Sequence, residues 1–206
     1  MIVGQLELAI RQASLDEISP EALSQIEAYL DLLLKWNSRV NLTSIREPGA
    51  IIRRHFLECI QCAQILPEMP NATLLDYGSG AGFPGIPIAI CRPEIRVTLA
   101  ESQRKKAAFL REVVRSLGLA AEVFDGRVEE MPQGRRFSFV ALRAVDKMAQ
   151  AVEMAVSRVA PEGRLVIFAT EGTEAALKAA IPEIEWRDGL PITGTAHSEL
   201  LIGQRR

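Results

Sequence analysis

Apolar residues recur along this chain with two different spacings, and the change from one to the other divides it. From residue 3 to about 66 the spacing is helical. Ser19 and Pro20 make a helix start, and Leu23, Ile26, Leu30, Leu33 and Leu34 follow on one face. After a loop around residues 41–44, a second helix is predicted from Pro48, with Ile51, Ile52, His55, Phe56, Cys59 and Ile60 on a broad apolar face. From Thr73 onward, short apolar runs alternate with longer amphipathic ones, the pattern of a parallel sheet covered on both faces. Strands are predicted at 73–77, 96–100, 121–124, 137–142, 164–169, 184–190 and 199–204, with helices at 85–91, 103–117, 146–159 and 173–180. A short Gly-Thr loop joins the last two strands, which should therefore pair antiparallel. The expected fold class is α/β: a mostly parallel seven-stranded sheet with helices on both faces and an N-terminal helical extension. We divide it as a helical cap over 1–70 and a core over 71–206, together one compact unit.

The core opens with LLDYGSGAGFPGIPIA at 74–89, a strand, a glycine turn and a helix start in succession. Gly80, Gly82 and Gly85 satisfy the GxGxxG of dinucleotide enzymes, but a P-loop is excluded because no lysine lies between Gly78 and Gly85. The fuller match is Asp-x-Gly-x-Gly-x-Gly, made by Asp76, Gly78, Gly80 and Gly82. A carboxylate at the strand end repels a pyrophosphate and suits a ligand carrying an ammonium and a sulfonium, such as S-adenosylmethionine. Glu101 ends the next strand, 19 residues after Gly82. There it can accept hydrogen bonds from two ribose hydroxyls, as an acid at this spacing does for dinucleotides. The plainer alternative is that it caps the helix that begins near Ser102.

Composition narrows the partners. Net charge is −2, so indiscriminate adhesion to nucleic acid is not expected and any RNA contact must come from local basic patches. Two such patches exist: Lys35, Arg39, Arg46, Arg53 and Arg54 in the cap, opposed by Glu47, and Arg104, Lys105, Lys106, Arg111 and Arg115 on one helix, opposed by Glu112. Ordinary solvated helix faces would read the same way. The three cysteines, Cys59, Cys62 and Cys91, are an odd number, so no disulfide framework is expected and a reducing cytoplasm is. Cys59 and Cys62 have the spacing of half a zinc site but lie on a predicted helix without a second pair, so core packing is their expected role and no metal is called for. Glu7 and Arg11 interrupt any apolar signal core, and the longest uncharged stretch, 77–91, is broken by glycines and prolines, so no membrane span is expected.

The glycine segment, LLLKWNSRVNLTSI followed by RRHFLECI, the later GRVEEMP, and LRAV at 142–145 together resemble the bacterial small-subunit ribosomal RNA methyltransferase G family, also called glucose-inhibited division protein B. The resemblance extends over nearly the whole chain. It implies a class I methyltransferase fold that uses S-adenosyl-L-methionine to methylate N7 of one guanosine in 16S ribosomal RNA. Four loops, after Tyr77, Ala100, Phe124 and Leu142, should converge beyond the strand ends. Asp76, Gly78, Gly80, Gly82, Glu101 and Ser102 are then expected to bind the cofactor. The resemblance adds Phe83 beside it, Val128 and Glu129 at the adenine edge, and Arg143 where cofactor and substrate meet; an ion pair with a nearby acid would also account for Arg143. His55 is read as a packed histidine and Trp36 as core. Glu58 and Cys59 stand where the family has Asp-Ser, and Glu171 where a lysine precedes the glycine.

Leu142, Arg143 and Ala144 are neither the Asn/Asp-Pro-Pro-aromatic motif of exocyclic-amine methylation nor a cysteine nucleophile. Guanine N7 carries a lone pair and no proton, so no catalytic base is expected, only alignment. Duplex RNA recesses N7 in a narrow groove, which points to an accessible loop or a ribosomal subunit assembly intermediate as substrate. A monomer is expected. The rival readings are a methyltransferase for a small molecule, favoured by the acidic pI of about 5.8, and a NAD-binding sensor.

Overall fold

The computed structural model describes the whole chain except residues 1, 146, 147, 171, 194, 196 and 197. Helix α1, Ile2–Gln12, leads into α2, Pro20–Asn37, whose start is fixed by Ser19: its Oγ accepts the Ala22 N–H at 3.1 Å while Pro20 occupies the first position. The second cap segment begins as α3, Pro48–Ile51, with the Glu47 carboxylate accepting from the Gly49 and Ala50 N–H groups. It continues through a π-helical turn, Ile52–Phe56, into α4, Leu57–Ile65.

The core alternates as expected: β1 (Thr73–Tyr77), α5 (Gly85–Cys91), β2 (Arg96–Glu101), α6 (Arg104–Leu117), β3 (Ala121–Asp125), β4 (Phe137–Arg143), α7 (Met148–Arg158), β5 (Val159–Thr170), α8 (Glu174–Ala180), β6 (Ile184–Trp186), β7 (Leu190–Pro191) and β8 (Ser198–Arg205). The sheet order is β3-β2-β1-β4-β5-β8-β6. Pairing is parallel from β3 through β5 and antiparallel around β8. The seven strands on that path are those predicted. The prediction of one strand over 184–190 is corrected, because β6 stops at Trp186 and a separate two-residue β7 pairs with β8, Leu190 opposite Leu200. Pro191 has no N–H to extend that pairing. The predicted helix at 146–159 is found as α7, with residues 146 and 147 outside the described part.

Alternation along the strands assigns two cores. Leu74, Val97, Leu99, Phe139, Ala141, Val166, Leu200 and Ile202 face α5, α6 and the cap, sharing one cluster with Leu6, Tyr29, Leu30, Phe56 and Ile60. Leu75, Val140, Leu142, Leu165, Ile167 and Leu201 face α7 and α8. Helix α6 buries Ala107, Phe109, Leu110 and Val113, and stops where Gly118 takes a left-handed φ of 62°. Each fully buried apolar side chain of this kind stabilises by about 1.5–3 kcal/mol. Among the described residues, no helix is long and apolar enough to cross a membrane. Because the chain runs outward from β1 to β3 and then returns to β4 on the other side, a crevice opens beyond the carboxyl ends of β1 and β4.

Candidate functional site

A cavity of about 760 Å³ occupies that crevice. All four loops expected to converge line it, through Tyr77 to Ala81, Ala100 to Gln103, Gly126 to Glu129, and Arg143 to Val145. The glycine turn is built by backbone bonds: the Ser79 N–H donates to Ala100 O at 2.9 Å, and the Gly82 N–H to Ser79 O at 2.7 Å. Glu101, 6 % exposed, supports the turn from β2. Its Oε2 accepts the Gly80 N–H at 2.8 Å and its Oε1 the Gln103 N–H at 2.7 Å. It therefore braces both loops, and it also lines the cavity, where each oxygen retains a second lone pair.

Asp76 does not stand where a direct contact with the ligand would need it. It shares a face of β1 with Leu74, so its side chain turns toward α5 and the cap, and it does not line the cavity. Oδ2 accepts the Gly85 N–H at 3.0 Å; Oδ1 is buried without a hydrogen-bond partner. Burial pushes this carboxyl up to about 7, against the pull of the Gly85 and Ser79 hydrogen bonds and of Arg143. Gly82 also faces the protein: at φ 97°, an added Cβ would meet the Tyr29 hydroxyl at 2.8 Å and Ile86 at 2.7 Å. That close approach lets Tyr29 of the cap donate to Ala81 O at 2.5 Å, joining cap and glycine turn.

The opposite wall is the turn Val128–Glu130, where Val128 is buried and Glu129 Oε1 accepts from the Tyr77 hydroxyl at 3.1 Å. Phe83 lines the cavity while packing on Phe56, Tyr29 and His55, so it serves cavity and core at once. Ser102 lies exposed at the rim.

Arg143 ends β4 and points at the cap. Its Nη2 donates to Glu58 Oε2 at 2.6 Å and to Arg54 O at 2.8 Å, and lies 2.8 Å from His55 Nδ1. This arginine is thus paired with an acid, the simpler of its two readings, and it also lines the cavity. Glu58, a departure from the family pattern, is its partner. Burial pushes the Glu58 carboxyl upward and Arg143 opposes the shift. His55 Nδ1 lies within hydrogen-bond distance of both Arg143 Nη2 and Arg54 O, at 2.8 and 2.9 Å, and its Nε2 lies 3.0 Å from Thr43 Oγ1. Burial, then the Arg143 charge, lower His55 to about 4, so the imidazole is neutral and both its nitrogens are engaged. After Arg143 the chain turns at Ala144, whose φ of 51° is unusual for alanine.

The π-helical turn over 52–56 is what the apolar pattern did not foretell; such turns often mark functional sites, and this one carries His55. Leu42, Thr43 and Ser44 also line the cavity, held by buried Asn37. Its Oδ1 accepts the Leu42 and Thr43 N–H groups at 2.9 and 3.1 Å, and its Nδ2 donates to Thr43 O at 3.0 Å. The signal was present in KWN…NLTS, as two motif fragments at a fixed distance. Lys106 is a further lining residue, read from sequence only as part of a basic helix face.

A second cavity of about 570 Å³ joins the first through His55, Arg143 and Ala144, with Met148, Val152, Ile167, Phe168, Leu177 and Ile181 among its apolar walls. Of the predicted basic patches, Arg53 pairs with Glu47, Arg111 with Asp125 and Arg115 with Glu112. Lys35, Arg39, Arg46, Arg104, Lys105 and Lys106 form no ion pair among the described residues. Cys59 and Cys62 are buried in the core shared by cap and sheet, where burial pushes the Cys62 thiol to about 12. Glu171 lies outside the described residues.

The sheet order, the acid-led glycine turn and the crevice above it define a class I S-adenosylmethionine-dependent methyltransferase. Solved structures of similar fold include a SAM-dependent methyltransferase from Aquifex aeolicus (TM-score 0.61, 17% identity, 76% of this chain and 93% of that one) and the mitomycin 7-O-methyltransferase MmcR (TM-score 0.62, 16% identity, 91% of this chain and 69% of that one). The family model of rRNA small subunit methyltransferase G matches residues 22–188. The chain is 38% identical over 190 residues to the ribosomal RNA small subunit methyltransferase G of Anaeromyxobacter sp. (strain Fw109-5), covering 91% of this chain and 86% of that protein. It is 39% identical over 182 residues to the protein of that name from Methylobacillus flagellatus, covering 88% and 82%. The chain belongs to the rRNA small subunit methyltransferase G family.

Proposed function

We propose that this protein transfers the methyl group of S-adenosylmethionine to N7 of one guanosine in 16S ribosomal RNA. The observation that carries the N7 reading is the state of the side chains beside the donor cavity. His55 is neutral with both nitrogens engaged and Glu58 is held by Arg143, so neither is placed to take a proton. A nucleophile with a lone pair and no proton to lose fits such a site, and an amine or hydroxyl does not.

The donor supplies a methyl group on a cationic sulfonium. The unpartnered Oδ1 of Asp76 beneath the glycine turn gives the cavity floor negative potential once ionised, which favours that cation without touching it. Gly78 and Gly80 let the backbone approach closely, Glu101 offers its free lone pairs to the ribose, and Val128 and Glu129 border the adenine. His55 and Arg143 border both this cavity and the second, from which the guanine base enters, and Phe83 lines the donor side. The chain's contribution is to align nucleophile and methyl group and exclude water from between them.

Mass spectrometry of 16S RNA nucleosides from a strain lacking this gene tests the proposal. One N7-methylguanosine should disappear and return with the restored gene. An unchanged nucleoside map would contradict it, and methyl transfer to small nucleophiles but not to RNA or subunits would favour a small-molecule acceptor instead.

A further inference from the structure

Arg158, the last residue of α7, is 4 % exposed, and no carboxylate pairs with it among the described residues. Its guanidinium is spent on backbone carbonyls. Nη2 donates to Val128 O at 2.9 Å and Met131 O at 3.1 Å, Nη1 donates to Pro132 O at 2.6 Å, and Nε is buried without a partner. An unpaired buried cation is costly, and three carbonyls from one five-residue stretch are what offset it here. That stretch includes the short turn whose Val128 and Glu129 line the donor cavity. At the other end of the same helix, Gln150 and Ala151 line it too.

We infer that Arg158 is a positioning residue for the methyl-donor site, fixing the Val128–Glu130 turn at the place where the donor's adenine is bordered. The inference rests on the donor reading of the cavity proposed above. Arg158 touches no ligand and acts through the carbonyls it gathers. Tyr77 restrains the Glu129 side chain from the sheet, and Gly126 N–H donates to Glu101 O at 3.1 Å and Arg127 N–H to Glu130 Oε2 at 3.0 Å; Arg158 is what ties the carbonyls of residues 128, 131 and 132 to α7. Neutral glutamine can reach at most part of this carbonyl set, and lysine keeps the charge without the planar fork.

Calorimetric titration of S-adenosylhomocysteine into wild-type protein and into Arg158→Gln and Arg158→Lys variants, with thermal melts of each, tests this. Arg92→Gln is the control, because Arg92 likewise clamps two carbonyls, Ala63 O and Leu66 O, away from the cavity. Arg158→Gln should weaken binding about tenfold, the scale of one charge-assisted hydrogen bond. The lysine variant should recover part of the loss, and saturating donor should restore kcat. Arg92→Gln should lower the melting temperature and leave the affinity alone. An unchanged affinity in Arg158→Gln, an equal loss in Arg92→Gln, or a glutamine variant that does not fold would overturn the inference, the last by making Arg158 a requirement of the whole fold. If wild-type protein failed to bind, the donor reading would fall first; wild-type binding with an unaffected Arg158→Gln removes this inference alone.

Discussion

Asp76 leads the motif that reveals the site, yet its carboxyl group is buried on the cap side of β1 and titrates near 7. Its ordinary value is 3.8, so the folded protein holds this proton more tightly than the unfolded chain does. The stability it contributes is complete below about pH 4, declines as pH rises, and is gone once pH passes about 7. Asp76→Asn keeps an acceptor for the Gly85 N–H and removes the titration. The difference in unfolding free energy between wild type and variant, measured by denaturant titration at several pH values, should shift against the wild type between about pH 4 and pH 7, by up to a few kcal/mol. A difference independent of pH would mean that the carboxyl is ionised throughout. The residue type and spacing were legible in the sequence. The direction of the side chain was legible too, because Asp76 is two positions from core residue Leu74, but the ligand-binding motif argued the other way. His55 is packed, as the sequence suggested, while its lowered pKa comes first from burial and then from Arg143, which is 88 residues distant in sequence and visible only in the fold.

Among whole elements, the first four strands and the helices between and after them followed the apolar period closely. Strands β1 to β4 and helices α5, α6 and α8 begin and end within a residue of their predicted limits. Departures arise where long-range contacts decide. The strand predicted at 164–169 extends back to Val159, because Phe137 pairs with Val159 before the register shifts. The π-helical turn in the cap carries His55, which meets Arg143 at the end of β4, and nothing local announces it. Asn37 belongs to the same class, a buried amide whose partners, Leu42 and Thr43, form a loop on the cavity edge. Asn37→Ala leaves those donors and the Thr43 carbonyl unsatisfied and should cost about 1–3 kcal/mol in chemical denaturation. We expect it also to weaken S-adenosylhomocysteine, since Leu42, Thr43 and Ser44 line the cavity. Full stability in this variant would show that the loop holds its place without Asn37.

At the scale of the molecule, a net charge of −2 conceals an uneven distribution. Lys35, Arg39, Arg46, Arg104, Lys105 and Lys106 are left without ion pairs among the described residues, and Lys106 stands at the cavity itself. Lys35 and Glu112 are near enough to influence one another, which places the end of α2 beside α6. Affinity for 16S RNA or small subunits should therefore fall steeply with salt, and Lys105→Ala should reduce the log–log slope by about 1 without changing donor affinity. A slope unaltered by that change would take α6 out of the RNA contact. The sequence showed these clusters, with Glu47 and Glu112 opposing them, but not that Arg111 is neutralised, because Asp125 reaches it through the fold.

The functional reading assumes that the crevice beyond β1 and β4 holds a methyl donor. Calorimetric titration of purified protein with S-adenosylhomocysteine, with NAD in parallel and with Glu101→Ala as the variant, tests that most directly. We expect saturable binding of S-adenosylhomocysteine at one site, no binding of NAD, and an affinity at least about tenfold weaker in Glu101→Ala, which loses the brace on Gly80 and Gln103 and the ribose contacts proposed for it. No heat with S-adenosylhomocysteine, or equal binding of NAD, would contradict it.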